Sequence, residues 1–402
     1  MSFDIHEIPL DCALSQYLKS WKECNARFPQ HTIQCDPDWI AEHFKHAGSV
    51  VSNLEQLDFG MPWSFPKDAN KKNVRVYFLQ KGSETVGVVP FLLDEQHLIC
   101  GLGELEVVKF PMRTLCLQSP HNMPADTSAY DTLIGQIVKS NPDALYVRNV
   151  RTESFFWNYL HNSTLIRKGF QFYSRNVPLR HMLIRLEGTF ESYMRKFSAK
   201  TRKNRYRELR LLRERGDVQL MRVTNASEID ALVESAYEVS KRTWQFNRGW
   251  GLQDPAIVRS KLRFLAQRGW LRSYLLTCGG IPCSFILGRQ YDSRFYTELA
   301  GVDDAWRSYS VGSVLLLLVL EDLFKANPPL FYDFGSYVKW QEYFATESYP
   351  EGSAWLFRRR AYPLLAAGIY HACNVMSTNT GAVLDRFHMK SSVSQLLKGI
   401  RS

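Results

Sequence analysis

A short segment around residue 310 brings together a cation, hydroxyl groups and a glycine where a helix is predicted to begin. It reads Arg307-Ser-Tyr-Ser-Val-Gly-Ser, and the apolar residues that follow predict a helix over 311–325. The first N–H groups of a helix have no partner within it, so this kind of start can hold a phosphate. Gly312 would let a pyrophosphate approach the backbone, and Ser313 would add a hydroxyl. The alternative is that Ser310 is only an N-cap and Gly312 only permits close packing.

Positive charge is concentrated between residues 195 and 215, where ten basic residues face two acidic ones. This basic segment carries +8 of the formal charge of +10, which leaves the rest of the chain nearly neutral. Its residues favour a helix that ends at Gly216. Pairing within such a helix cannot neutralise ten cations, so either the face is solvated or it binds a polyanion. The polyanion could be a nucleotide diphosphate, a lipid phosphate, nucleic acid, a membrane surface or an acidic carrier protein. The cations that we expect to hold a diphosphate are Arg202, Lys203 and Arg205.

Glu298 is a carboxylate in the middle of a predicted strand, Phe295-Tyr-Thr-Glu-Leu-Ala-Gly. If it faces a closed cleft, burial would raise its pKa and suit it to proton transfer. If its side of the strand is solvated, it is only a surface acid. Tyr337 and Tyr343 follow a predicted strand at 330–334, and each could donate a proton or simply pack as a buried aromatic.

Two further groups could contact a substrate. Trp244 and Arg248 lie in a glycine-containing loop between two predicted helices, and their types suit stacking on a sugar or a base. Anchoring of the loop itself explains them equally well. Lys339 can hold a phosphate or be an ordinary surface lysine.

Metal chemistry finds no support in the sequence. His43 and His46 have helical spacing but no third ligand nearby, and the eight cysteines lack zinc-ligand spacing. We therefore predict no metal site and expect most cysteines to be buried thiols. The N-terminus has no apolar signal region, and the longest aliphatic run, 314–320, is too short to cross a bilayer. These features predict a soluble, cytoplasmic protein with no integral membrane span.

The elements that must position these residues form two similar halves. Residues 74–93 and 271–288 both read as strand, glycine turn, strand, with Tyr77 and Tyr274 at equivalent places, which suggests a duplication. After residue 217 the predicted order is β-α-α-β-β-β-α-β-α-β. We predict an α/β (α+β) fold of mixed sheets flanked by helices, with domains at 1–180 and 181–360 and a helical tail at 361–402.

This order resembles the GNAT superfamily of N-acetyltransferases, and residues 180–350 resemble its CelD-like branch from cellulose and exopolysaccharide clusters, which is related to Fem-type peptidyltransferases. The motifs that carry the resemblance are Phe197-Ser-Ala-Lys-Thr-Arg-Lys-Asn-Arg, Arg242-Thr-Trp, the Gly280 hairpin, Ser310-Val-Gly-Ser, and Asp333-Phe-Gly followed by Lys339 and Phe344. In the N-terminal half, Cys35-Asp-Pro-Asp-Trp-Ile and Val88-Val-Pro-Phe also look like that branch. The resemblance implies tandem GNAT-like domains, the first structural or acceptor-binding and the second catalytic.

The resemblance also implies a reaction, in which an amine attacks a thioester such as acyl-CoA. For such a reaction, the position of Glu298 makes it the candidate base, and Tyr337 or Tyr343 could protonate the leaving thiolate. The donor pyrophosphate would lie on Arg307, Ser310, Val311, Gly312 and Ser313. This loop has one residue more and one glycine fewer than the usual Arg/Gln-x-x-Gly-x-Gly/Ala loop, so an acidic acyl carrier protein or an aminoacyl-tRNA stays open as the donor.

The acceptor implied is a small molecule that bears a phosphate or an amine, such as a sugar, an envelope or polysaccharide precursor, or a lipid. Two rival functions stay open. One is a Fem-type transfer from aminoacyl-tRNA, for which the basic segment would contact the nucleic acid backbone. The other is a non-enzymatic binder of nucleic acid or membrane, against which the absence of an interleaved aromatic pattern argues.

Overall fold

The chain forms two compact units that are interleaved in sequence. The computed structural model describes residues 3–28, 33–45, 73–102, 105–118, 122–174, 179–246, 251–335 and 338–386. Within these ranges, unit 1 comprises residues up to 44, 73–174 and 351–386, and unit 2 comprises 179–350. Unit 2 is therefore an insertion between two parts of unit 1.

Unit 1 is a mixed sheet with helices on both faces. Strands β1 to β4 pair antiparallel in order, β5 runs parallel to β4, and the end of β13 pairs antiparallel with both β5 and β6. Its elements are β1 Asp4–Pro9, α1 Leu10–Gln16, α2 Leu18–Ala26, a 3-10 turn Ile33–Cys35, α3 Pro37–Lys45, β2 Val74–Lys81, β3 Glu84–Leu102, β4 Leu105–Gln118, α4 Thr127–Lys139, β5 Ala144–Arg151, α5 Phe155–Asn162, α6 Thr164–Gly169, β6 Phe170–Ser174 and α13 Ala361–Arg386.

Unit 2 repeats this pattern. Its strand order is β8-β9-β10-β11-β12-β7, antiparallel except for the parallel pair β11 and β12. Its elements are β7 Leu179–Arg185, α7 Phe190–Met194, α8 Ala199–Arg213, β8 Val218–Val223, a 3-10 turn Ala226–Glu228, α9 Ile229–Lys241, α10 Pro255–Gln267, β9 Ser273–Cys278, β10 Ile281–Tyr291, β11 Arg294–Val302, a 3-10 helix Asp304–Tyr309, α11 Val311–Lys325, β12 Phe331–Asp333, α12 Gln341–Phe344 and β13 Glu347–Arg358, which ends in unit 1.

The fold class predicted from the sequence is confirmed. Each unit places three antiparallel strands before a helix and a parallel strand, and Tyr77 and Tyr274 lie fully buried at matching places on β2 and β9. The helix predicted at 311–325 has those bounds. α10 starts at Pro255 because Asp254 caps it and proline suits a first helical turn.

Two predicted boundaries differ from the structure. The break near residue 180 lies beside the observed one at 178, but residues 351–386 belong to unit 1 and not to the second domain or a separate tail. The reason is long-range pairing, since β13 from Glu351 onward pairs with β5 and α13 packs on β3. The basic segment is also not one helix. It is broken between Met194 and Ala199, where Ser198 caps α8 by accepting the N–H of Thr201.

One buried arginine fixes the far end of α11. Arg272, on the segment that leads into β9, donates to the backbone carbonyls of Ala326 at 2.7 Å and Asn327 at 2.9 Å, and to the Asp322 carboxylate at 2.9 Å. The last carbonyls of a helix have no intrahelical donor, so this guanidinium supplies what they lack. The contacts tie α11 to the sheet and thereby hold its opposite end, near residue 310, in place.

The described cysteines are all free, and all but Cys12 are buried, as predicted. Among the described residues there is no cluster of three or more His, Cys, Asp and Glu side chains that could hold a metal ion. The side chains of His43 and His46 lie outside what the structure describes. No helix in the described ranges is long and apolar enough to cross a membrane.

Candidate active site

The candidate site in unit 2 lies where the parallel pairing of β11 with β12 ends. β11 pairs with β12 only from Arg294 to Tyr296, opposite Phe331 to Asp333. Glu298 lies two residues beyond Tyr296 and is an extra residue in the pairing of β11 with β10, since Leu287 and Gly288 on β10 pair with the residues on either side of it. A bulge of this kind bends the strand and re-aims side chains, and it is common next to active sites.

Glu298 is buried at this bulge, with only 7% of its surface exposed. Its carboxylate forms an ion pair with the buried Arg289 of β10, and the Lys261 ammonium of α10 lies 3.3 Å from its other oxygen. The alternative of a solvated surface acid is therefore excluded. The carboxylate therefore lies between two cations, which is not the apolar cleft expected for a carboxylate with a raised pKa.

A second buried carboxylate lies at the end of β12. Asp333 accepts hydrogen bonds from Gly335 N–H at 2.9 Å and Arg294 at 3.1 Å, and it contacts His181 Nε2 at 2.8 Å. Burial acts to raise the pKa of Asp333, but His181 and Arg294 outweigh it and lower that pKa to about 2. The His181 ring also stacks on Tyr349 at 4.7 Å, which fixes the plane of the imidazole.

The two carboxylates belong to one polar row on the face of the sheet that carries α10. Tyr296, which pairs with Asp333 across the strands, lies under the Arg289 guanidinium at 4.8 Å. Burial raises the pKa of the Tyr296 hydroxyl, so it stays protonated. The polar row thus extends from Lys261 through Glu298 and Tyr296 to Asp333 and His181, and it brings carboxylates, a hydroxyl and an imidazole together where the pairing of β11 with β12 ends.

The start of α11 lies beside the end of β11, on the part of that strand beyond its pairing with β12. Ser310 adopts a left-handed conformation with φ 54° and occupies the N-cap without any side-chain capping bond. A Cβ on Gly312 would lie 3.0 Å from a methyl of Val302 at the end of β11, so the glycine lets the helix pack against the strand. Gly312 therefore does permit close packing, as the alternative explanation requires. Phosphate binding by Gly312 and Ser313 stays a prediction.

The turn before α11 is anchored from two sides. Asp303 is buried, accepts the N–H of Ala305 at 3.0 Å and pairs with Arg242 at 2.9 Å, which explains part of the Arg242-Thr-Trp motif. Arg307 is exposed on this turn and pairs with Asp304 at 3.0 Å. Exposed pairs of this kind are weak, so Arg307 is available to an incoming phosphate.

The basic helix ends next to the same turn. α8 packs on α11 through Leu209 and Leu212, both in the unit 2 core, and the Arg215 guanidinium lies 5.1 Å above the ring of Tyr309. Arg215 and Arg307 therefore both approach the helix start at residue 311. A helix N-terminus with two nearby guanidinium groups has the charge and the donors that a pyrophosphate requires.

Several cations of the basic segment have partners inside unit 2. Lys196 donates to the carbonyls of Phe344 and Ala345, and partial desolvation lowers its pKa to about 8. Arg202 donates to the carbonyl of Phe197 at 2.5 Å. Arg205 pairs with Glu208 at 2.8 Å and lies 5.4 Å from the Tyr343 ring. Part of the charge is therefore used to attach α8 to α12.

Three cations on the outer face of α8 are different. Lys200, Lys203 and Arg207 follow helical spacing, are exposed, and make no ion pair with any residue that the structure describes. We call them the outer cation row. Lys203 thus lies apart from Arg202 and Arg205, and the structure does not bring these three predicted phosphate ligands together on one face.

The remaining predicted residues are distributed as follows. Tyr343 is 43% exposed on α12, with its ring 5.2 Å from Phe197, and its packing is therefore partial. Lys339 is exposed in the turn before α12. Trp244 is 40% exposed just after α9. Tyr337 and Arg248 lie outside the described residues.

Sequence reasoning missed most of the polar row. Its missed members are Lys261, Arg289, Arg294, His181 and the carboxylate of Asp333 as a site group. His181 and Asp333 are 152 residues apart, and only the pairing of β7 with β12 brings them together. The one available signal was the position of Asp333 at a strand end followed by glycine, where a short polar residue can reach back to the chain.

The comparison with known protein families identifies the domain to which this geometry belongs. Residues 199–343, from the start of α8 to the end of α12, match the family described as an acetyltransferase (GNAT) domain. The protein carries a GNAT acetyltransferase domain. It is therefore an acyltransferase. The GNAT domain covers less than half of the chain and includes both the basic helix and the start of α11.

The solved structure of FemX resembles most of the chain in fold, and two further structures align with it at lower scores. FemX is 12% identical, with 82% of this chain and 98% of that chain covered and a TM-score of 0.53. The C-terminal domain (DUF2156) of a putative lysylphosphatidylglycerol synthetase from Agrobacterium fabrum is 10% identical, covering 85% and 96%, with a TM-score of 0.46. A tandem GNAT protein from the clavulanic acid biosynthesis pathway is 10% identical, covering 89% and 99%, with a TM-score of 0.43. No curated protein matches the sequence significantly.

Proposed function

We propose that unit 2 transfers an acyl group from acyl-CoA to an amine on a phosphate-bearing sugar, an envelope or exopolysaccharide precursor, or a lipid, as in the CelD-like branch. The observation that carries the proposal is the contact of the α11 start with the end of β11, beyond the pairing of that strand with β12 and within the residues that match the GNAT domain. The donor pyrophosphate would contact the first N–H groups of α11 and the guanidinium groups of Arg307 and Arg215.

The reaction would proceed by direct attack of the amine nitrogen on the thioester carbonyl. Glu298, ionised between Arg289 and Lys261, would accept the proton of the attacking amine. Backbone N–H groups of β11 beyond Tyr296, where pairing with β12 has ended, would stabilise the developing oxyanion. Tyr343 would return a proton to the leaving thiolate. Unit 1 would have a structural or an acceptor-binding role.

The donor part of the proposal can be tested by charge reversal. Native mass spectrometry of the full chain with acetyl-CoA should show a one-to-one complex. Arg307→Glu and Arg215→Glu should each weaken that complex about tenfold, because each removes one charge-assisted contact. Arg195→Glu is the matched control, since it changes the net charge equally from an exposed position on the turn that follows α7. No complex with acetyl-CoA or a longer acyl-CoA, or equal effects of all three substitutions, would contradict the proposed donor site.

A second donor is favoured by one specific observation, the outer cation row. Three unpartnered cations along one helix face can follow a phosphate backbone, as a Fem-type transfer from aminoacyl-tRNA requires, and FemX shares the fold. Ribonuclease treatment distinguishes the two donors. Activity that survives ribonuclease supports acyl-CoA or an acyl carrier protein, and activity that disappears supports aminoacyl-tRNA.

A further inference from the structure

Unit 1 contains a pocket that the acyltransferase site in unit 2 does not use. Its volume is about 580 Å³, within the range of about 300–1,000 Å³ that small-molecule sites occupy. The floor is formed by β2, β3 and β4, on the face that also carries the stacked rings of Tyr77 and Phe91 in the core. The pocket therefore begins where the apolar core of unit 1 ends.

Two guanidinium groups of this pocket have no partner among the described residues. Arg75 on β2 is half-buried, whereas Arg113 on β4 is exposed and lies directly opposite Glu95 of β3, which is exposed as well. Neither guanidinium makes a hydrogen bond or an ion pair with a described residue. A guanidinium presents five N–H donors in a planar fork that suits carboxylates and phosphates, so two unused ones favour an anionic ligand group.

Carboxylates line the same pocket. Asp143 is held by the N–H of Arg113 at 3.0 Å, and Asp94 by Asn73 at 2.9 Å. The Glu95 carboxylate has no described partner of its own. At the rim, the Tyr362 hydroxyl donates to the Pro111 carbonyl at 2.6 Å, and burial together with Asp143 and Glu95 raises its pKa.

A ligand that satisfies this lining needs both signs of charge. An anion alone would meet three carboxylates, and a cation alone would leave the two guanidinium groups unused. We propose that unit 1 binds a small zwitterion in this pocket, with its phosphate or carboxylate on Arg75 and Arg113 and its ammonium on Glu95 and Asp143. This inference does not depend on the proposed function of unit 2.

Isothermal titration calorimetry on the full chain can test both halves of the ligand. Glucosamine 6-phosphate carries both charges, glucosamine lacks the anion, and N-acetylglucosamine 6-phosphate lacks the ammonium. The zwitterion should bind at least about tenfold more tightly than either single-charge analogue. Glucosaminic acid, with a carboxylate in place of the phosphate, shows which anion is preferred.

Variants locate the binding. Arg75→Gln and Arg113→Gln should each weaken binding of glucosamine 6-phosphate about tenfold and leave glucosamine unchanged, while Glu95→Gln should affect only the probes that carry an ammonium. Lys139→Gln, exposed on α4 away from the pocket, is the control within unit 1. Because these side chains have no described partners, unfolding by urea should be unchanged.

If glucosamine 6-phosphate binds in unit 2 instead, the variants should behave differently. Lys203→Gln would then weaken its binding, and Arg75→Gln would not. That result, or the failure of every probe to bind at millimolar concentration, would overturn the inference. Neither result would affect donor binding at α11, since that is measured separately with acetyl-CoA. Equal affinity for the zwitterion and its analogues would likewise refute the two-sign lining.

Discussion

Replacing Glu298 by glutamine should separate its contribution to stability from its contribution to catalysis. The substitution keeps the shape of the side chain but removes the negative charge between Arg289, whose side chain is 4% exposed, and Lys261, at 15%. Removing one partner of a buried ion pair costs about 3–5 kcal/mol, because the other charge stays buried without compensation. Domains of this size have about 5–15 kcal/mol of stability, so the variant should remain folded in water.

Urea unfolding, followed by circular dichroism, measures the first contribution. Glu208→Gln is the matched control, because its partner Arg205 lies in a partly exposed pair that should contribute less than about 1 kcal/mol. If the free energies of unfolding of Glu298→Gln and of the unsubstituted protein differ by less than about 1 kcal/mol, Glu298 does not belong to a buried ion pair.

Release of the thiol from acetyl-CoA in the presence of amino sugars measures the second contribution. Loss of a general base should lower kcat/KM by about 10²–10⁴-fold under conditions where the variant is folded. The double variant Glu298→Leu with Arg289→Met removes both members of the more buried pair and leaves only Lys261 without its contact to Glu298, so it should recover part of the stability without recovering activity. An Arg289→Met and Glu298→Leu protein that regains turnover would show that Glu298 only supports the fold.

Three further predictions follow from other buried charges. The pKa of Asp333, about 2, lies below its ordinary value, so the charged carboxylate contributes about 2 kcal/mol of stability that is present above about pH 4 and lost as the pH falls toward 2. Between about pH 5 and about pH 3, the free energy of unfolding in urea should therefore fall less in Asp333→Asn than in the unsubstituted protein. The pKa of Lys196 is about 8, so at pH 8 about half of its amine is unprotonated, against less than about 1% for an ordinary lysine. An amine-reactive ester should therefore label Lys196 before Lys200, and equal labelling of the two would contradict the desolvation of Lys196. Arg272→Met should lower the free energy of unfolding in urea by about 3–5 kcal/mol. Arg222 pairs with the same Asp322 from a more exposed position, so Arg222→Met should lower it by less than about 1 kcal/mol. Equal losses would contradict the role of Arg272 at the end of α11.

Local signals in the sequence are sufficient for most elements of the fold. Asp254 with Pro255 marks the start of α10, and the apolar run after Ser310 marks α11, because caps and periodicity act over a few residues. The pattern around Tyr77 and Tyr274 likewise predicts two similar hairpins. The break at Ser198 could not be predicted from the periodicity of the basic segment, because helix-forming residues lie on both sides of it.

The candidate site was predictable only where a single residue carries its own signal. Glu298 is recognisable as a carboxylate in an apolar strand, but its partners Arg289 and Lys261 come from two other elements. Which residues meet across a sheet is decided by register and by bulges, and a shift of one residue at Leu287 would aim every later side chain to the other face. The polar row is a product of tertiary pairing and has no local pattern.

The path of β13 has a consequence for synthesis of the chain. Unit 2 is complete once residue 350 has been made, whereas unit 1 still lacks the strand that pairs with β5 and the helix that packs on β3. On the ribosome, the half whose synthesis starts first is therefore finished last. A product cut near residue 180 should expose the apolar edge of its sheet, and supplying residues 351–402 as a separate peptide should rescue it.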